Sequence, residues 1–166
     1  ENYVNYGKGA HWRFFSTLFN SVGIDLFFPV IGISEVGTAM IMNDSPLGIE
    51  SQSCIRGGFG EPCMECWKCF RKELLNHSMN FSEASDYDSM LGSNEIWTRL
   101  SGFPISHENV IVYSLQRISL DEHPNFIPIA EKLDMELDLE HLGSWYPPSI
   151  EFVPHKYRHS VREKIL

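Results

Sequence analysis

Positive charge is scarce in this chain. Its 166 residues carry 13 Lys plus Arg against 22 Asp plus Glu, a net charge of −9. A general grip on nucleic acid or on an anionic membrane surface needs clustered cations, so neither is expected as a partner. Long hydrophobic runs are missing too. Nothing approaches the roughly 18 consecutive apolar residues of a membrane span. The longest apolar patch, residues 26–33, is interrupted by Pro29 and Gly32. A secretory pattern of basic and then apolar residues is absent, which makes the cytoplasm the expected compartment. Repeats and low-complexity stretches are absent as well. The chain opens on Glu1-Asn2-Tyr3 without a methionine, which reads as the interior of a longer protein.

Familiar catalytic signatures are also missing. The seven histidines form no H-E-x-x-H or H-x-E pattern, and there is no G-x-S-x-G. His155 and His159, four apart on an expected helix, read as a solvated face. Gly7-Lys8-Gly9 lacks the strand and the flanking residues of a phosphate loop and reads as a turn.

What is present is a folded domain's worth of apolar residues, 43% of the chain, with 13% aromatic. Cysteine is absent everywhere except one short window: Cys54, Cys63, Cys66 and Cys69, spaced C-x8-C-x2-C-x2-C. Disulfides would close very short loops, where the entropic gain is smallest. Four thiolates in one segment suit a tetrahedral Zn²⁺ better. An iron–sulfur cluster is the alternative, because C-x2-C-x2-C also occurs in ferredoxin-type sites. A helix over residues 63–75 would place Cys63, Cys66 and Cys69 on one stripe, with Cys54 folded back across Gly57, Gly58 and Gly60. Four protein ligands leave no open position, so the metal is expected to be structural. Arg56, Lys68, Arg71 and Lys72 flank the cluster and would offset the −2 charge of zinc with four thiolates. Arg56, Arg71 and Lys72 are equally candidates for binding an anionic substrate or phosphate.

Periodicity predicts an amphipathic helix over residues 11–22, with Trp12, Phe15, Leu18, Phe19 and Val22 on its apolar face, stopped by Gly23. A short strand is expected at residues 25–31 and a helix at 35–42 capped by Ser34. This rhythm is that of an α/β protein. Ser82 and Ser93 are candidate caps. Residues 110–118 are ambiguous between strand and buried helix, and residues 126–139 have helical apolar spacing. Residues 107–145 hold eight acids and two bases, which reads as a solvated acidic face. A short basic helix is expected after Pro154.

The run from Phe28 to Arg71 carries a resemblance. It reads F-P-V-I-G-I-S-E-V-G-T-A-M-I-M, then E-S-Q-S-C, then eight residues to C-M-E-C-W-K-C-F-R. It resembles the C-terminal part of 7-cyano-7-deazaguanine synthases, members of the N-type ATP pyrophosphatase, or adenine-nucleotide alpha-hydrolase-like, superfamily. The resemblance covers about a third of the chain. It implies a helix-rich α/β fold in three parts. Residues 1–53 would end a Rossmann-like (HUP-type) layer, 54–78 would form a four-Cys zinc segment, and 79–166 a mostly helical extension. It implies that Cys54, Cys63, Cys66 and Cys69 are zinc ligands, with Ser53 and Arg71 close beside them. The family's arginine falls three residues after the last cysteine, whereas Arg71 falls two after Cys69. Where the family has a lysine after its Pro-Leu turn, Glu35 stands nearby; it is a candidate substrate-pocket acid, or a first-turn acid placed for the helix dipole.

The family's ATP loop, S-G-G-x-D-S, is absent from this chain. The resemblance therefore implies a zinc-bearing rear portion of an AMP-forming, carboxylate-activating ligase, not catalytic alone. Its partners would be the ATP- and Mg²⁺-binding N-terminal half of the same protein, a small carboxylate or deazapurine substrate, and a second copy in a homodimer. The alternatives are a zinc-stabilised protein-interaction module and an iron–sulfur protein.

Overall fold

The computed structural model describes residues 9–27 and 30–165. Helices and turns make up these residues. Among them there is no β-strand, only an isolated antiparallel bridge between Gly58 and Glu61. The helix-rich part of the expected architecture is therefore present, and no Rossmann-like layer is seen among the described residues. Residues 25–27 are irregular and residues 30–32 form a turn; Phe28 and Pro29 lie outside the described residues. An apolar run becomes a stable strand only beside partner strands, and no described segment offers one.

That run docks on a loop instead. The Trp145 indole N–H donates to the Ile31 carbonyl at 2.9 Å, and the Tyr146 N–H donates to the Gly32 carbonyl at 2.9 Å. Gly32 sits at φ +83°, and an added Cβ would strike Ser149. Trp145, Ile150 and Val153 form a small apolar cluster here, with Phe27, Ile33 and Val161 against it.

Helix α1 (Ala10–Asn20) matches the first expected helix, and Gly23 follows it at φ +78°. None of its residues is buried; on the expected apolar face Leu18 and Val22 are exposed, and Trp12, Phe15 and Phe19 are half-buried. Helix α2 (Glu35–Asp44) starts where expected. The Ser34 Oγ accepts from the Gly37 N–H at 3.2 Å and donates to the Leu142 carbonyl at 2.5 Å. One hydroxyl thus caps the helix and fastens it to a turn more than a hundred residues away.

Helix α3 (Trp67–Ser78) is the centre of the main core. It buries Trp67, Phe70, Leu74, Leu75 and Ser78, the spacing of one helical face. Across from it lies helix α6 (Glu108–Leu115), buried from Val110 through Leu115. This resolves the ambiguous 110–118 segment. A stretch apolar on every side forms a helix when helices surround it, because it then needs no partner strand. Helices α4 (Tyr87–Leu91) and α5 (Asn94–Ser101) close one side. Asp86, not Ser82, caps α4: its Oδ1 accepts from the Ser89 N–H at 3.0 Å. Ser93 holds the cap position of α5 but spends its hydroxyl on the Glu65 carbonyl, at 2.7 Å.

The expected helix over residues 126–139 is short. A 3-10 turn at Pro124–Phe126 leads into α7 (Ile127–Ala130), and turns follow. Asp134 Oδ1 accepts from the Glu136 N–H and Asp138 Oδ1 from the Glu140 N–H. Such local side-chain bonds offer the backbone an alternative to the helix ladder. Ile129 and Leu133 are buried, whereas Leu137 is not. The acids of this region face solvent. The chain closes on α8 (Arg158–Ile165). No helix of the described residues is long and apolar enough to cross a membrane.

A candidate metal centre of four cysteines

The four cysteines come together in space. One Sγ from each of Cys54, Cys63, Cys66 and Cys69 lies within 4.8 Å of the others. Cys66 and Cys69 Sγ are 3.5 Å apart, and Cys63 and Cys69 Sγ 3.9 Å. Four sulfurs placed about 2.3 Å from one central ion have tetrahedral edges of about 3.8 Å. Geometry and donor set therefore both fit a single metal ion.

The cysteines are brought together differently from the expected helical stripe. Only Cys69 lies within α3. Cys66 is its N-cap, with Sγ accepting from the Cys69 N–H at 3.5 Å. Cys63 belongs to the preceding loop, one residue before Met64, which turns the chain at φ 56°. This left-handed turn keeps the helix from reaching Cys63. Cys54 returns from the other end of the loop and its Sγ accepts from the Cys63 N–H at 3.4 Å. Gly57 makes that return possible: an added Cβ would lie 2.0 Å from the Glu61 carbonyl oxygen.

These bonds prepare thiolates. Cys54 is lowered to about 6, first by the Cys63 N–H and then by the Arg56 N–H, so neutral pH favours its anionic form. Burial works against ionising Cys66, but the N–H and thiol of Cys69 outweigh it and lower the group. Cys69 is raised, by burial first and then by its Cys66 neighbour. Crowded thiols cannot all ionise alone; a bound cation is what would let the last one do so.

A side chain absent from the sequence expectations organises the loop. Gln52 Nε2 donates to the carbonyls of Cys54 at 2.9 Å and Gly58 at 2.8 Å, and its Oε1 accepts from the Gly60 N–H at 2.7 Å. Glu95 is the second such residue. It pairs with Arg56 at 2.5 Å and accepts from the Trp67 N–H at 3.2 Å, which ties the loop to α5 and to the first turn of α3. Its carboxyl is held below the ordinary range by Arg56 and then by that N–H. A lone Gln two residues before a cysteine, and a Glu forty residues later, carry no sequence signal for these roles.

The cations are mostly engaged elsewhere. Arg71 makes a bidentate bond to Glu35, at 2.7 and 3.0 Å, with both side chains largely buried. Two of the four substrate candidates, Glu35 and Arg71, thus satisfy each other and join α2 to α3. Lys68 Nζ donates to the Ser53 carbonyl at 3.1 Å. Lys72 has no ion pair or hydrogen bond among the described residues, and it lines a cleft of about 550 Å³. Cys54, Cys69, Glu73, Asn76 and Phe81 line that cleft too, so it borders the sulfur cluster directly.

Fold and site together define a helix-rich protein built around a four-thiol centre able to hold a metal ion. The chain belongs to a family of unknown function, DUF6395, whose model matches residues 14–166. Comparison with curated proteins and with solved structures gives no match.

Proposed function

We propose that this chain is the zinc-bearing C-terminal portion of an ATP-dependent, carboxylate-activating enzyme of the deazaguanine-synthase kind. The observation that carries the reading is the convergence of four sulfurs from a C-x8-C-x2-C-x2-C run beside a cleft of about 550 Å³. Four sulfurs this close suit one shared ion better than an iron–sulfur cluster, whose several irons spread their ligands apart. All four positions are filled by protein, so the zinc organises structure and does not activate water. The metal fixes the loop over residues 54–66 and the first turn of α3, and these form one wall of the cleft. A small carboxylate or deazapurine is the proposed occupant.

In that reaction class ATP converts a carboxylate oxygen into part of an AMP leaving group. The ATP-binding and Mg²⁺-binding residues are assigned to a preceding half of the same protein, together with its Rossmann-like layer. No residue of this chain is given a role in ATP binding. Metal analysis and the native gene test the reading in turn. About one zinc per chain and no iron is expected, from colourless protein. An S-G-G-x-D-S loop encoded within about 250 residues upstream of Glu1, a typical domain length, is the second expectation. Brown, iron-bearing protein removes the zinc assignment, and an upstream region without that loop removes the enzyme assignment.

A second reading, a zinc-stabilised protein-interaction module, is favoured by one observation. Ile55 and Phe59, on the metal loop, are 93% and 80% exposed. Their replacement by Ser would leave the metal in place and abolish partner binding if the loop were an interaction tip.

A further inference from the structure

A second cluster of titratable groups lies at the other end of α3. The His77 ring is tilted against Tyr87, with ring centroids 5.8 Å apart, and its Nδ1 is 3.0 Å from the Tyr87 hydroxyl. His123 meets His77 edge-on at 5.3 Å and Tyr87 edge-on at 5.3 Å, and Phe126 closes the group from below Tyr87 at 5.1 Å. Three elements therefore meet through four rings: the last turns of α3, the start of α4, and the segment leading into the 3-10 turn at Pro124–Phe126. Tyr87 is buried and both histidines are half-buried.

The charged surroundings are specific. Glu73, one turn earlier on α3, accepts from the Ser85 hydroxyl at 2.8 Å through its carboxylate, and from the Tyr87 hydroxyl at 3.5 Å through its carbonyl. Glu122 precedes His123 and is the acid that favours a charged His77. Asp88 on α4 is bonded to Asn125. Glu83 and Asn80 share a hollow with His77 on the solvent side. No lysine or arginine is hydrogen-bonded or paired to any of these groups among the described residues.

We propose that His77, Tyr87 and His123 form an acid-sensitive latch that fastens α4 and the 122–126 segment to the wall of the cleft. With both imidazoles neutral, the edge-on rings pack and the Tyr87 hydroxyl keeps a neutral nitrogen partner. When both are protonated, two cations face each other within this packed group, and Glu122 is the acid that favours charge on His77. Release of α4 removes the Ser85 contact from Glu73, whose side chain lines the cleft together with Asn76. The latch thereby couples acid to the cleft.

The direction of the effect follows from where His77 sits. Burial first, and His123 next, hold its ring below the ordinary histidine range, partly countered by Glu122. The open state binds the proton more readily than the closed one. Closure is therefore fully favoured above the ordinary value of about 6.5 and is lost as pH falls below it.

Hydrogen exchange on the full chain at pH 7.5 and 5.5, corrected for intrinsic rates, tests the latch. Amides of α4 are expected to lose protection several-fold at pH 5.5. His123→Phe keeps an aromatic ring and removes one proton site, and it should retain most of that protection. Equal loss in the variant and the parent overturns the proposal, because acid effects on the cysteines are common to both. An NMR titration of the unaltered protein gives a second measure that does not depend on the variant folding. The expected result is that the His77 and His123 ring signals titrate together with the loss of α4 protection. Titration of both rings with α4 protection unchanged overturns the proposal.

Discussion

Helices α1 and α3 look alike as sequence and behave differently in the fold. Both are one-faced stretches of about three turns, rich in aromatic residues. Helix α3 buries seven of its residues, while α1 buries none. The difference lies in what surrounds them. Around α3 stand the metal loop, α2, α5 and α6, joined by side chains from far along the chain. Among the described residues, ring contacts within α1 include His11 with Phe15 and Phe15 with Phe19. Periodicity states that a helix has an apolar face, but covering that face is a property of the assembly.

Substitutions should separate the two helices by size of effect. The largest loss is expected at the metal centre. Cys66→Ser removes a ligand and the α3 cap, and should lose metal together with most of the roughly 10 kcal/mol that structural zinc supplies in small sites. Thermal melting of parent and variant, with and without chelator, reads this; identical melting in all four samples would sink the structural-metal assignment. Next comes Arg71→Ala, which leaves Glu35 without its partner in a largely buried position. A loss of about 2–4 kcal/mol is expected from denaturant unfolding, because breaking a buried pair costs more than the pair contributes. A change under about 0.5 kcal/mol, the level of a neutral surface substitution, would show that solvent reaches this pair freely.

Gln52→Ala should cost less, about 1–3 kcal/mol, since it frees two carbonyls and one N–H of a partly exposed loop. Its sharper signature is metal retention: a chelator should strip the variant faster than the parent at equal protein concentration. Unaltered stripping would leave the three glutamine bonds without a role in holding the loop. At the small end, Leu18→Ser on α1 should shift stability by no more than about 0.5 kcal/mol, as an exposed side chain does. A loss above about 2 kcal/mol would mean that this face is covered in solution, and would erase the contrast between the helices.

The site was more legible than the fold. All four ligand candidates were marked by spacing alone, because a shared ion demands several soft donors within a short segment. Their arrangement was less so. The expected stripe of three cysteines is replaced by one residue in the helix, one at its cap and one in the loop before it, with the left-handed turn at Met64 intervening. The start of α2 was legible because a capping serine acts on its nearest neighbours. The strand expected at residues 25–31 was not decidable locally. Phe27 packs against Trp145, Ile150 and Val153, and the Ile31 carbonyl accepts from Trp145, more than a hundred positions away.

By itself the sequence determined where the four thiols lie along the chain, which segments favour helix, and that acid outweighs base. These are matters of residue chemistry and near-neighbour spacing. Tertiary structure decided which cations are free. Arg56 went to Glu95 and Arg71 to Glu35, while Lys72 was left in the cleft. It also decided that residues 110–115 are helical and that, among the described residues, none of α1 is buried. Pairing of charges and burial of faces depend on residues distant in sequence, and only the folded chain brings those together.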